Sequence, residues 1–141
     1  MSQAILRQTE NACAALAYSA SVSASLGLTF GNGIYTGLDN EDKDAPAVVC
    51  FAESATEDFP FSGMYRVKTH ILIKEMAADT SMSSSLATTM FEAFCNSGTK
   101  GVLNQYSGYF VYEYFIDGTH DLTNGDANIQ QYDFEIVSAL K

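Results

Sequence analysis

The chain has 141 residues, of which 47% are hydrophobic and only 17% charged, and seventeen Asp and Glu against seven Lys and Arg give a formal net charge of −10. That length suits one domain of ~100–200 residues, with enough chain to bury a core that needs neither metal nor disulfide. The apolar content excludes a disordered chain, and the acidity excludes a protein that grips nucleic acid by neutralising phosphates with Lys and Arg.

Ser2 offers a cap for a first helix, in which Ile5, Leu6, Thr9, Ala12, Cys13, Leu16 and Ala20 recur on one side and Arg7, Gln8, Glu10 and Asn11 fill the other. The pattern decays at residues 21–25, where hydroxyl and β-branched residues take over. A short strand is expected at Ile34-Tyr35-Thr36, after the Asn32-Gly33 turn. Gly37 to Pro46 is an acidic loop with Asp39, Glu41, Asp42 and Asp44. The unbroken apolar run from Ala47 to Ala52 predicts a buried strand. Glu53 to Pro60 reads as a second acidic loop, running on to Phe61.

The clearest strand runs from Met64 to Met76. Tyr65, Val67, Thr69, Ile71 and Ile73 alternate with Arg66, Lys68, His70 and Lys74, so one face is apolar and the other basic. Asp79 or Ser81 caps a second helix carrying Leu86, Met90, Ala93 and Phe94, stopped at Asn96-Ser97-Gly98. Two last strands, Tyr109–Ile116 and Ile129–Ala139, form a hairpin whose long polar tip holds Asp117-Gly118 and Asn124-Gly125. In the final strand Tyr132, Phe134 and Ile136 face inward, and Gln131, Asp133 and Glu135 outward. The order predicts an α+β fold: a mostly antiparallel sheet of four to five strands with two helices packed on one face, in a single domain spanning residues 1–141.

Cys13, Cys50 and Cys95 lie 37 and 45 residues apart among apolar neighbours, which suits small buried side chains and neither a zinc site nor a disulfide framework. Gln8, Thr9, Glu10 and Asn11 interrupt any signal-peptide core, and no apolar run approaches a membrane span of ~18 residues.

Catalytic parts are scarce. His70 sits mid-strand without a Ser, Cys or Asp at motif spacing, and His120 falls in the expected hairpin tip between Asp117 and Asp121, so neither supplies a nucleophile–base pair. Asp39, Glu41, Asp42 and Asp44 imitate a calcium loop in charge only: Lys43 and Asp44 occupy positions that need a ligand and a glycine. Asp117, Asp121 and Asp126 lack that spacing too. Gly31-Asn32-Gly33 leads into a strand, which excludes a phosphate loop. The expectation is a protein without enzyme activity, metal or cofactor.

Surfaces remain. Arg66, Lys68 and Lys74 hold three of the seven positive charges on one strand face, and Asp133 and Glu135 line the polar face of another. They form either a cross-strand ladder within one sheet, at ~0.2–1 kcal/mol per pair, or a contact between neighbouring copies in which complementary charge fixes register. Phe59 and Phe61, flanking Pro60, suit a core edge or a contact with a partner.

The sequence from the Ala-rich first helix through Ile34-Tyr35-Thr36-Gly37, an acidic loop, residues 46–51 (Pro-Ala-Val-Val-Cys-Phe), the long strand at residues 65–73 and the closing hairpin at residues 109–114 resembles the tail terminator and tail-completion (head–tail joining) proteins of long-tailed bacteriophages. The resemblance covers nearly the whole chain and rests on element order and length. It implies a virion subunit made in the host bacterial cytoplasm and located at the head-proximal end of the tail, in a hexameric ring. Such a ring caps the tail tube protein and docks the head–tail connector or stopper, and DNA passes without specific binding. No catalytic or cofactor residues come with that family. An acidic lining repels phosphates, so the Asp39–Asp44 loop or the Asp117–Asp126 tip would face the channel or a docking partner. Two other readings stay open: a tail tube subunit or head–tail adaptor, and a monomeric domain binding a small apolar ligand through the eight Tyr and nine Phe.

Overall fold

Alanines at 4, 12, 14, 15 and 17 give the first helix high propensity and a flat face, and α1 spans Ser2–Ser19. The computed structural model describes residues 2–19, 27–37, 46–57, 63–76, 90, 92–94, 109–122 and 127–140. Thr9 turns its hydroxyl onto the Ile5 carbonyl at 2.7 Å, so a polar side chain enters the apolar face with its donor satisfied. Ile5, Ala12, Cys13, Leu16 and Ala17 are buried on that face.

Six strands follow: β1 (Thr29–Phe30), β2 (Gly33–Thr36), β3 (Ala47–Glu57), β4 (Tyr65–Met76), β5 (Tyr109–Asp121) and β6 (Ala127–Leu140). They form one sheet in the order β1-β2-β3-β4-β6-β5. β1, β2 and β3 pair in parallel, whereas β3–β4, β4–β6 and β6–β5 are antiparallel. The sheet is therefore mixed, with two short parallel pairings added to the expected antiparallel body. Gly33 begins β2 at φ 110°, and a Cβ there would come within 2.5 Å of the Leu28 side chain, so the turn requires glycine at this position.

Register assigns the two faces. Val48 opposes Ile73, Cys50 opposes Ile71, Ile71 opposes Tyr132, Thr69 opposes Phe134 and Val67 opposes Ile136. These residues share a core with α1 and with a second helix, whose Met90 and Phe94 are buried in the same cluster. Both helices thus lie on one face, and the fold is α+β as the element order predicts. The other face carries 66, 68, 70, 72 and 74 of β4 with 131, 133, 135 and 137 of β6. It too is buried in places, through Ala47, Val49 and Leu72 toward one end and Val137 toward the other.

Three sequence-based expectations are corrected. The stretch after Glu53 is not a loop, because β3 runs on to Glu57 through a bulge between Ala52 and Ser54. Asp117-Gly118 is not a turn, because β5 continues to Asp121 with a register shift between Ile116 and Gly118. The strands close further out, where Leu122 N–H donates to the Ile129 carbonyl at 2.8 Å. Glu10 is not on the solvent side of α1: it is 4% exposed, and its Oε2 accepts the backbone N–H of Ala52 at 3.0 Å.

Candidate functional site

Alternation places His70 on the polar face of β4 and Asp133 on the polar face of β6, and the ladder sets the two directly opposite. His70 Nδ1 meets Asp133 Oδ1, and its Nε2 lies 3.2 Å from Glu53 Oε2. Glu53 is the extra residue of the β3 bulge, and such a bulge bends the strand and re-aims a side chain, here toward β4. The Phe51 ring stacks on His70 with centroids 4.8 Å apart and planes at 30°. From β5, His120 Nε2 reaches Asp133 Oδ2 at 2.7 Å, and the Gln131 amide donates to Oδ1 at 2.9 Å. Four strands therefore meet at one carboxylate and its histidine.

Asp133 is the centre of charge. Partial burial works to raise its carboxyl, but hydrogen bonds with Gln131, His70 and His120, together with the charge on His70, hold it below the usual carboxylate range. A depressed folded-state pKa contributes stability that is fully present above the unfolded value of ~3.9 and lost as pH falls through the folded one. Urea denaturation of the protein and of Asp133→Asn is expected to show its full stability gap at about pH 5, shrinking below about pH 4. A gap that stays constant down to pH 2 would contradict this role.

Two positions further along the same face, Arg66 Nη1 and Glu135 Oε1 form an ion pair at 3.1 Å, and Lys68 opposes Glu135 in the ladder. The sequence-derived charges of β4 and β6 thus converge within one sheet. Lys74 shares the face but is 8% exposed, opposite Ala47 and Ile129, apart from the others. Asp117 and Asp121 lie on β5 rather than in a tip. Asp39, Glu41, Asp42, Asp44, Asp126, Phe59 and Phe61 lie outside the described residues, as does Cys95.

The cluster can hold and share a proton. Among the described residues, its hydrogen bonds involve no hydroxyl or thiol that would act as a nucleophile, and no group of His, Cys, Asp or Glu is placed to hold a metal ion. Cys13 and Cys50 belong to the opposite, helix-covered face. Burial, with the charge of Glu10 adding, pushes the Cys13 thiol up to about 12. Burial raises Cys50 well above its ordinary value, with Cys13 and then Glu10 adding, so both are inert thiols. No described helix is long and apolar enough to cross a membrane.

The composition of the cluster was only partly visible in the sequence. Period-two alternation marks His70, Asp133 and Gln131 as outward, but Glu53 and His120 sit in segments whose polarity imitates loops. Neither strand's pattern specifies the register that brings these residues together.

No protein-family model matches the chain, and no curated protein matches it.

Proposed function

We propose that the chain is a structural subunit of a bacteriophage tail, similar to tail terminators, that closes into a ring on the tail tube and presents a surface to the head–tail connector. The observation that carries this reading is the two-sided sheet. Its inner face is filled by α1 and the second helix, while its outer face presents mixed charge from Arg66, Lys68, Asp133 and Glu135. A face bearing both signs is suited to a neighbouring copy, because complementary charges fix register and make wrong alignments costly. The element order also supports it: a first helix, the long β4, helical residues at 90 and 92–94 and a closing β5–β6 hairpin follow one another in the order of the resemblance.

In this reading the mechanism is steric. A closed rotation leaves no free growing end, so the ring stops tube polymerisation. The Asp39–Asp44 loop and the acidic residues of the hairpin line the channel or meet the connector, where negative charge keeps passing DNA from being held. Phe59 and Phe61 are the contacts for a partner.

Negative-stain imaging of the purified protein, alone and with its tube, tests the proposal. Closed six-fold rings are expected, and strict monomers even with the tube would overturn it. Long tubes would indicate the tube subunit, and featureless particles a monomeric ligand-binding domain. Lys68→Glu is expected to raise the concentration needed for ring closure about tenfold or more, because a like-charge contact at an interface costs several kcal/mol. The circular dichroism of the protomer should not change.

A further inference from the structure

His70 faces a carboxylate at each of its two ring nitrogens, Asp133 at Nδ1 and Glu53 at Nε2. Carboxylates only accept, so each contact needs an N–H at that nitrogen. The neutral imidazole has one N–H and the imidazolium has two. We propose that His70 is a proton-operated clip: as the imidazolium it ties Glu53 of β3 to Asp133 of β6 across β4, and on losing a proton it keeps Asp133 and releases Glu53.

The partners differ in a way that decides which contact is given up. Asp133 is held in place by Gln131 and His120 as well, and its side chain is 17% exposed. Those bonds keep it ionised, so the proton it shares with His70 stays on the ring. The Glu53 side chain is 58% exposed and sits on a bulge, free to swing into water. With Nε2 deprotonated, a lone pair would face a carboxylate oxygen at 3.2 Å, and water is the better partner for both.

The surroundings of His70 contain both signs. β3 contributes Glu53 and the Phe51 ring, and β6 contributes Asp133, Gln131 and, two positions on, Glu135. β5 contributes His120 through their shared carboxylate, while Lys68 flanks His70 on β4 and Arg66 is engaged with Glu135. Gln131 Nε2 also lies 3.2 Å from His70 Nδ1, and it donates to Asp133 Oδ1 at 2.9 Å.

Release has a structural target. Among the described residues, β2 pairs with β3 at Val48, Val49 and Cys50. Beyond the bulge, Ser54, Ala55, Thr56 and Glu57 continue the ladder with β4. The end of a strand is a low-stability part of a sheet, and a tie at its root changes how often it opens. Because histidine changes charge between pH 5 and 8, the clip would make the opening of this segment depend on pH across that range.

The test is amide hydrogen exchange of the full chain at pH 5.5 and 8.0, corrected for intrinsic rates, with the imidazole nitrogens followed by NMR. Protection of Ser54–Glu57 is expected to fall about tenfold at the higher pH, as for loss of one charge-assisted hydrogen bond, while the β4–β6 ladder is unchanged. At pH 8.0 His70 should retain its proton at Nδ1 and lack one at Nε2. In Glu53→Gln, whose amide offers a donor or an acceptor to Nε2, the pH dependence of protection should disappear. Equal protection at both pH values, an undiminished pH dependence in Glu53→Gln, or loss of the Nδ1 proton first would each overturn the clip.

Discussion

Phe134→Ala is expected to destabilise the protein by about 3–5 kcal/mol, the range for removing a buried aromatic ring from a core that cannot collapse around the void. Phe134 is 2% exposed and sits on the inner face of β6, opposite Thr69 of β4 on one side and Ile116 of β5 on the other. Its ring lies 5.5 Å from that of Phe94, tilted by 33°, and so joins the second helix to the sheet. Two hydrogen-bonded ladders fix the β6 backbone, so it cannot move in to fill the space. Only the helix could settle, and it would do so by losing its own contacts. Since a typical domain is stable by only ~5–15 kcal/mol, the loss is a large share of the total. Urea denaturation should show a lower midpoint with an unchanged slope. A cost below about 1 kcal/mol would mean that the helix is free to close the gap and that the Phe94–Phe134 contact is not a fixed joint.

Phe134 also illustrates what a single sequence makes legible. The alternation of β6 assigns it inward without any structure, as the alternation of β4 assigns Val67, Thr69, Ile71 and Ile73. Period-two patterns report which face a residue takes when one face is buried, and that is enough for the α+β class and for both helices on one side. They do not report register, which is why Glu135 could be expected on a charged face but not paired with Arg66. Ser54, Thr56 and Glu57 are exposed and Ala55 is half-buried, so this end of β3 lacks a buried apolar set and its composition imitates a loop. Asp117-Gly118 carries turn chemistry, yet in β5 it coincides with a register shift, where the same residue types serve a bulge. The two-residue β1 has no periodicity to detect. The polar cluster combines these difficulties: a bulge supplies Glu53, a strand extension supplies His120, and register brings both to His70 and Asp133.

The helical pattern of α1 fails in the same way at Glu10, and the result expected there is the second large effect. Glu10→Ala should cost about 2–3 kcal/mol, because it removes a charge-assisted hydrogen bond and leaves a part-buried backbone N–H without its acceptor. The donor is Ala52, the residue just before the β3 bulge, where the ladder to β4 loses its regular register. Glu10 satisfies that amide from the helix above, at 3.0 Å, while Arg7 reaches its other oxygen at 3.1 Å from a largely exposed position. The two contacts separate by substitution. Arg7→Ala should cost less than about 1 kcal/mol, as exposed ion pairs do. Glu10→Gln keeps an acceptor for Ala52 without the charge and should fall between the two. If Arg7→Ala matched Glu10→Ala, the ion pair would be the important contact and the bulge would not need its helix partner. If Glu10→Ala alone is costly and the Ala52 amide exchanges faster in it, α1 positions the bulge that aims Glu53 at His70. The outer-face cluster would then depend on a helix packed against the opposite side of the sheet.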